Sequence, residues 1–282
     1  MKKINLLRLR LGIVAGCALT TCGGASAFMS CNLNSNGFSS AYVPANAAIN
    51  ITSASLAITC TRTASGDATS QLVTVQADNG LNRKGRAQNQ ASSGANLIKY
   101  NVYTDSSCTT LWTGRTTLSA TVIFTSAGDF APKSATVPYW GCIPAAQIVP
   151  AATYTDTVTM TPNVGVPATF PVSIVTPSSC TISSPPSNMI FNYIAFQGAA
   201  ASATSNFSAT CTSLLPYSMA LDATSSVLTG LAYTLSLSAS SSIGTGVAQP
   251  HTVNGSMAAG QSGTCATGSC SATEARTLTI SY

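Results

Sequence analysis

The chain has 282 residues, of which 45% are hydrophobic and 7% are charged, against about 25% charged in ordinary globular domains. Its formal net charge is +5, but four of the cations, Lys2, Lys3, Arg8 and Arg10, lie in the first ten residues. The remainder carries 8 basic and 7 acidic residues. That near-neutral balance argues against a partner selected by bulk charge, such as a nucleic acid.

The first 27 residues have the pattern of a signal peptide. A basic start is followed by a short apolar stretch at residues 11–20 and by Ala25-Ser26-Ala27. A membrane anchor needs roughly 20 apolar residues, whereas a leader needs only such a short core before a small-x-small cleavage site. We expect residues 1–27 to be removed and the protein to be exported.

Eight cysteines follow the expected cleavage site. In an exported chain an even number of cysteines indicates disulfides. Metal binding is the alternative, but no CxxC pair occurs and His251 is the only histidine. We therefore expect no metal or cofactor. The eight cysteines fall into two groups of four: Cys31, Cys60, Cys108 and Cys142, then Cys180, Cys211, Cys265 and Cys270.

The two groups mark an internal repeat. The first two cysteines are 29 residues apart in one group and 31 in the other, and both second cysteines sit in similar strings, LAITCT and FSATCT. We pair the first with the second in each group and the remaining two by elimination. Four cysteines allow three connectivities in each group.

Short alternating runs bounded by Gly, Pro, Ser and Asn dominate the sequence, as in QLVTVQAD and LSATVIFT. Many short strands separated by turns predict an all-β protein of β-sandwiches. We expect two tandem immunoglobulin-like domains, at residues 28–163 and 164–282, because PNVGVP interrupts the pattern near the middle.

The first domain resembles the spore coat protein U domain, the pilin-like module of archaic (Csu-type) chaperone–usher pili. The resemblance lies in Cys31, LAITCT, IKYNVYTDSSCTTLWTG and YWGCIPAAQIVPAATYTDTVTMT. The second domain is similar through FPVSIVTPSSCTIS, FNYIAF, FSATCTSLLPYSMALD and RTLTISY, but lacks the Trp-Gly and Tyr-x-Asp signatures.

The resemblance implies that the second domain lacks its final strand, which another chain supplies by strand addition. A periplasmic chaperone would fill the gap first, and an adjacent pilin subunit would replace it at the outer-membrane usher. Leu278, Ile280 and Tyr282 would form the strand beside the gap, and the chaperone would anchor the terminal carboxylate of Tyr282.

A shaft subunit of such a pilus carries an apolar extension before its first domain. Only Phe28, Met29 and Ser30 separate the expected cleavage site from Cys31. We therefore expect a subunit that accepts a strand and donates none: a tip adhesin at the cell surface, acting in attachment and biofilm formation. The alternative is a structural coat or shaft protein without a binding site.

The segment VGVPATFPVSIV has a continuous apolar face from Val164 to Ile174. Two interpretations remain open for residues 164–174. They complete the first domain as a donor strand in cis, or they form the first strand of the second domain.

We do not expect an enzyme. His251 is the only candidate imidazole base and lies in a Pro/Gly/Ser-rich stretch typical of an exposed loop, and no G-x-S-x-G elbow occurs. The acidic residues are scattered, although sequence does not exclude a facing carboxylate pair.

Two segments are candidates for contact with an abiotic or host surface. One contains the aromatic residues Phe130, Tyr139 and Trp140, of which the last two also adjoin a family motif that favours core packing. The other is a basic loop with Arg83, Lys84 and Arg86, for which a solvated hairpin is the alternative.

Overall fold

The computed structural model describes residues 29–44, 46–83, 88–265 and 269–282. The predicted signal peptide, Lys84 and Arg86 lie outside these residues. Every regular element in the described residues is a β-strand, which confirms the predicted all-β class. None of the residues in these ranges belongs to a helix long and apolar enough to cross a membrane.

Ten strands form the first β-sandwich. Buried and exposed residues alternate along most of them, as expected for strands with one face on a core. The strands are β1 (Ser30–Asn34), β2 (Phe38–Ala41), β3 (Asn50–Thr61), β4 (Ser70–Ala77), β5 (Asn89–Ser93), β6 (Asn96–Tyr103), β7 (Leu118–Ile123), β8 (Lys133–Ile143), β9 (Ala152–Pro162) and β10 (Ala168–Thr176).

The first sandwich has two layers that share β6. One layer runs β1-β3-β8-β6. In the other, β9 pairs with β4, β5 and β10, while β7 lies beside β4 and β2 beside β10. The inward-facing residues of both layers form one apolar core.

Eight strands form the second sandwich, in two sheets ordered β11-β12-β17-β15-β14 and β16-β13-β18. Its apolar core is smaller than that of the first sandwich. The strands are β11 (Cys180–Ser184), β12 (Ala201–Cys211), β13 (Pro216–Leu221), β14 (Ser225–Leu228), β15 (Leu231–Leu237), β16 (Ser241–Ile243), β17 (Ala248–Met257) and β18 (Leu278–Ser281).

Strand β10 lies in the first sandwich. It pairs antiparallel with β9 and parallel with β2. Of the two interpretations of residues 164–174, this pairing supports completion of the first domain in cis. The expected boundary at 163/164 would separate β10 from its own sheet, so we propose instead that the domains divide between Thr176 and Cys180.

Four disulfides are present: Cys31–Cys60 and Cys180–Cys211, as expected from the repeated spacing, and Cys108–Cys142 and Cys265–Cys270, as expected by elimination. The first and third occupy equivalent places, because Cys31 lies directly opposite Cys60 across β1 and β3, as Cys180 does opposite Cys211 across β11 and β12. Each closes a loop of about 30 residues, which contributes about 3–4 kcal/mol in the chain-entropy account.

Candidate functional site

The core of the first domain depends on its last strand. The inward side chains of β10 are Phe170, Val172 and Ile174, and they are 0%, 1% and 0% exposed. The Phe170 ring lies 5.9 Å from that of Trp112 and 5.2 Å from that of Tyr139. Because β10 fills the space between β9 and β2, the first domain is complete within this chain.

The strands of the second domain pair in the same way as those of the first. Cys60 and Cys211 are equivalent, and counting back along β3 and β12 makes Gly141 on β8 equivalent to Gly255 on β17. By the same registers, Tyr100 on β6 is equivalent to Tyr233 on β15. Strand β1 therefore corresponds to β11, and β3 through β9 correspond to β12 through β18.

Two strands of the first domain, β2 and β10, have no counterpart among the described residues of the second. In the chain position of β2, Met189, Phe191 and Tyr193 are half-buried while Ile190 and Ile194 are exposed. The segment thus alternates like a strand, yet it forms no ladder. Its usual partner would be the strand equivalent to β10.

The edge of β18 is the other side of this gap. Within the described ranges β18 pairs only with β13, whereas its counterpart β9 also pairs with β10. Leu278 and Ile280 are half-buried and Tyr282 is exposed. We call the space bounded by Met189, Phe191, Leu278 and Ile280 the open groove.

In each domain a glycine leaves room for a large side chain beside this space. A Cβ on Gly141 would lie 2.5 Å from the ring of Phe38 on β2. A Cβ on Gly255 would lie 2.4 Å from Met189 and from Phe191. The segment with Met189 and Phe191 therefore packs as β2 does, although among the described residues no strand pairs with β18 on that side.

A polar group lies beneath β10 in the first domain. The Tyr100 hydroxyl donates a hydrogen bond of 2.7 Å to Asp156 Oδ2, and both residues are buried. Burial and the neighbouring carboxylate raise the pKa of Tyr100 well above its usual range. The hydroxyl therefore remains a donor.

The equivalent tyrosine of the second domain contacts an ion pair. Tyr233 donates to Glu274 Oε2 at 2.7 Å and accepts from Arg276 Nε at 2.9 Å. Arg276 Nη2 lies 2.6 Å from Glu274 Oε1. Burial, followed by the hydrogen bond to Glu274, raises the pKa of Tyr233, and the bond to Tyr233 raises that of Arg276. We call these three residues the groove cluster.

A second feature lies at the end of the first domain where β10 begins. From there β10 runs toward the second domain. Arg62 is buried there. Its Nη1 donates to the Ser126 carbonyl at 2.7 Å and its Nη2 to the Ser65 carbonyl at 3.0 Å. The guanidinium lies 5.9 Å and 5.8 Å from the ring centroids of Phe124 and Phe130. Arg62 thus joins loop 62–69 to loop 124–132.

Apolar side chains are exposed at this end, which we call the distal end. Phe130 is 46% exposed, and Ile123 and Val166 are also exposed. The turn carrying Val166 reaches the same end, because Gly165 lies against the carbonyl of Cys31, which pairs with Cys60. The distal end therefore presents exposed apolar groups, of which Phe130 lies on a loop held by the buried Arg62.

The sequence matches the family model of the spore coat protein U domain over residues 6–161, more than half of the chain. The chain belongs to the spore coat protein U domain family. The match ends at residue 161, so the likeness of the second domain to the same module rests on the strand correspondence above. No curated protein has significant similarity to the chain.

The chain is also similar to solved structures. One is the chaperone–tip adhesion subunit pre-assembly complex CsuC–CsuE of Acinetobacter baumannii, with 14% identity, TM-score 0.47, and 90% of this chain and 100% of that chain covered. Another is the CupB6 tip adhesin of Pseudomonas aeruginosa, with 10% identity, TM-score 0.39, and coverage of 90% and 94%. A third, a chaperone–tip adhesin complex of CFA/I fimbriae, has 9% identity, TM-score 0.30, and coverage of 87% and 94%.

The structure places the candidate surface residues at different sites in the first domain. Phe130 lies at the distal end, but the inclusion of Tyr139 was wrong, because it is 0% exposed and bonds Ser35; burial raises its pKa to about 12. Trp140 is half-buried on the outer face of β8. Arg83 is exposed in the loop after β4, away from Phe130.

The expectation for His251 was also wrong. It lies on β17, is buried, and shares a 2.8 Å hydrogen bond with the Tyr217 hydroxyl. Sequence reasoning missed Arg62 and the groove cluster. A lone arginine directly after LAITCT was the available signal for Arg62; the cluster joins residues about 40 positions apart and left no local signal.

Proposed function

We propose that this chain is the tip adhesin of an archaic chaperone–usher pilus. Its first domain contacts an abiotic or host surface, and its second domain joins the fibre by accepting a strand. The protein acts at the cell surface in attachment and biofilm formation, without catalysis.

The observation that carries this proposal is the difference between β9 and β18. The first domain fills the place beside β9 with its own β10, while the equivalent edge of β18 has no partner in the described residues. An unpaired strand edge beside half-buried apolar side chains accepts an added strand. One domain is closed, and the other is open to a partner.

The partners follow from the order of assembly. A periplasmic chaperone covers the open groove after export, and the outer-membrane usher exchanges it for a strand of the adjacent pilin subunit. Tip placement depends on where the mature chain begins, which N-terminal sequencing of the exported protein measures. A start well before Phe28 would favour a shaft subunit.

The distal end supports the adhesive role of the first domain. Its exposed apolar groups lie at the end of β10 opposite the link to the second domain, and Phe130 among them lies on a loop held by Arg62. A rigid apolar surface binds with little loss of conformational entropy.

Point variants separate the two roles. Ile280→Asp places a charge in the open groove, and we expect it to abolish co-purification with the chaperone and incorporation into pili. Thr279→Asp is the matched control, because Thr279 faces outward on the same strand. Phe130→Ser should leave assembly intact and reduce adhesion of piliated cells.

Two results would contradict the proposal. If Ile280→Asp and Thr279→Asp assemble equally well, the open groove is not the acceptor. If replacing both Phe130 and Val166 by serine leaves adhesion unchanged on every surface tested, the first domain serves as structure only, as in a coat or shaft protein.

A further inference from the structure

The inward-facing residues beside the open groove change from apolar to charged partway along the chain. Ile280 and Leu278 are apolar, and the same two-residue spacing continues to Arg276 and Glu274. In the first domain β9 presents Met160, Val158, Asp156 and Tyr154 at the same two-residue spacing, and all four are buried.

The two sets differ in how they are covered. Val172 of β10 lies opposite Asp156 in the register, and the two Asp156 oxygens accept from Tyr100 and from the Leu81 amide. In the second domain the side chains of Arg276 and Glu274 retain 21% and 31% of their exposure. A strand entering beside β18 in the orientation of β10 would therefore cover an ion pair.

Covering that pair has a cost that depends on the entering side chain. Water around Arg276 and Glu274 is removed by any occupant, and an apolar side chain returns no hydrogen bond in exchange. A hydroxyl or amide group restores one. Next to Ile280 and Leu278 the preference is the opposite, since apolar contact is favourable there.

We propose that Arg276 and Glu274 select the strand that the open groove accepts and fix its register. The occupant is an extended segment of another protein, with apolar side chains opposite Ile280 and Leu278 and a hydroxyl or amide side chain opposite the Arg276–Glu274 pair. The proposal rests on the acceptor function proposed above.

The arrangement also rejects shifted pairings. A one-residue slip turns every side chain of a strand to the other face. A two-residue slip keeps the faces but moves an apolar side chain onto Arg276 and Glu274, which adds a desolvation cost to the wrong register. The groove cluster thus disfavours a slip that alternation alone permits.

The chain supplies a template for the probe. A fluorescent peptide copying residues 166–176 is compared with the same peptide carrying Val172→Thr, both titrated into the full mature protein. We expect the Val172→Thr peptide to bind more tightly by about 3- to 10-fold in Kd, the range of one net hydrogen bond. Hydrogen exchange should show protection of residues 278–282 by the bound peptide.

The protein variant Glu274→Leu/Arg276→Leu should reverse the preference in favour of the unmodified peptide. Thr277→Ala, an exposed change next to Arg276, is the control and should keep the original order. The two peptides are compared on the unmodified protein, so that comparison does not depend on whether the protein variants fold.

Two outcomes overturn the proposal in distinguishable ways. Equal affinity of both peptides, with residues 278–282 protected, removes the selective role of Arg276 and Glu274 but leaves the acceptor function standing. Absence of protection at residues 278–282 with either peptide removes the acceptor function and the selection together.

Discussion

Asp156 and Tyr100 join two strands of the first domain through a 2.7 Å hydrogen bond that β10 covers. The other Asp156 oxygen accepts from the Leu81 amide, so the same carboxylate holds the start of the loop that carries Arg83. Gly80 permits this approach, because a Cβ there would lie 2.1 Å from Asp156 Oδ2. One buried group therefore fixes a strand pair and a surface loop.

Tyr100→Phe should destabilise the first domain by about 1–3 kcal/mol, because it leaves a buried carboxylate oxygen without its donor. Denaturant unfolding followed by tryptophan fluorescence measures this, since Trp112 and Trp140 both lie in the first domain. Tyr103→Phe, at a half-buried position on the same strand, is the control, with an expected change below about 0.5 kcal/mol. Equal effects of the two changes would refute the role of the Asp156 bond.

Phe170→Ala should cost the first domain about 3–5 kcal/mol, since it removes a fully buried ring from the core. Thr169→Ala alters an exposed neighbour on β10 and should have little effect. The midpoint of tryptophan fluorescence in urea measures both. If the Phe170 variant unfolds at the wild-type midpoint, β10 does not complete the first domain in solution.

The stability of the second domain should decrease as the pH is lowered from about 7 to about 5. Burial lowers the pKa of His251, so the unfolded chain, with a histidine pKa near 6.5, takes up its proton at a higher pH than the folded chain does. Stability is then full above the unfolded pKa and is lost as the pH falls below it. Hydrogen exchange of β12 and β17 at pH 7 and at pH 5 measures this loss of stability.

The matched variant for that effect is His251→Gln, which keeps a hydrogen-bonding group near Tyr217 but does not titrate. We expect it to flatten the pH dependence while lowering stability at pH 7. A variant with the same slope as the wild-type protein would assign the pH dependence to other groups.

Arg62→Met should loosen both distal loops and weaken adhesion. It removes the donors to Ser65 and Ser126 while preserving part of the side-chain volume, so the carbonyls it served are left without that donor. Faster hydrogen exchange in residues 63–67 and 125–130 is the direct readout. Arg115→Met, at an exposed cation, controls for loss of charge, and adhesion equal in the two variants would exclude a role for Arg62.

The period-two pattern predicted the all-β class. The repeated cysteine spacing predicted Cys31–Cys60 and Cys180–Cys211, and elimination left the other two disulfides. Cys31 and Cys60 belong to the same half of the chain, so each half carries its own cysteine signal. The placement of β10 could not be decided in this way, because an apolar face from Val164 to Ile174 suits either neighbouring sandwich. Pairing with β9 and β2 is a property of the folded chain.

The errors at Tyr139 and His251 have one cause. Turn-forming residues around each suggested loops, although the alternation of Val137, Tyr139 and Gly141 along β8 placed the tyrosine inward. His251 likewise alternates with Val253 on β17. Composition outweighed periodicity in both interpretations, and periodicity was the better guide.

The short link after β10 has a mechanical consequence. Residues 177–179 are held at Thr212, whose Oγ1 donates to the Pro177 carbonyl at 3.2 Å and accepts from the Ser179 amide at 3.1 Å. If the second domain joins a fibre as proposed, a pull from that fibre enters the first domain along β10. Such a load shears the hydrogen bonds to β9 and β2 together instead of opening them one by one, so tension would be borne by the strand that also completes the core.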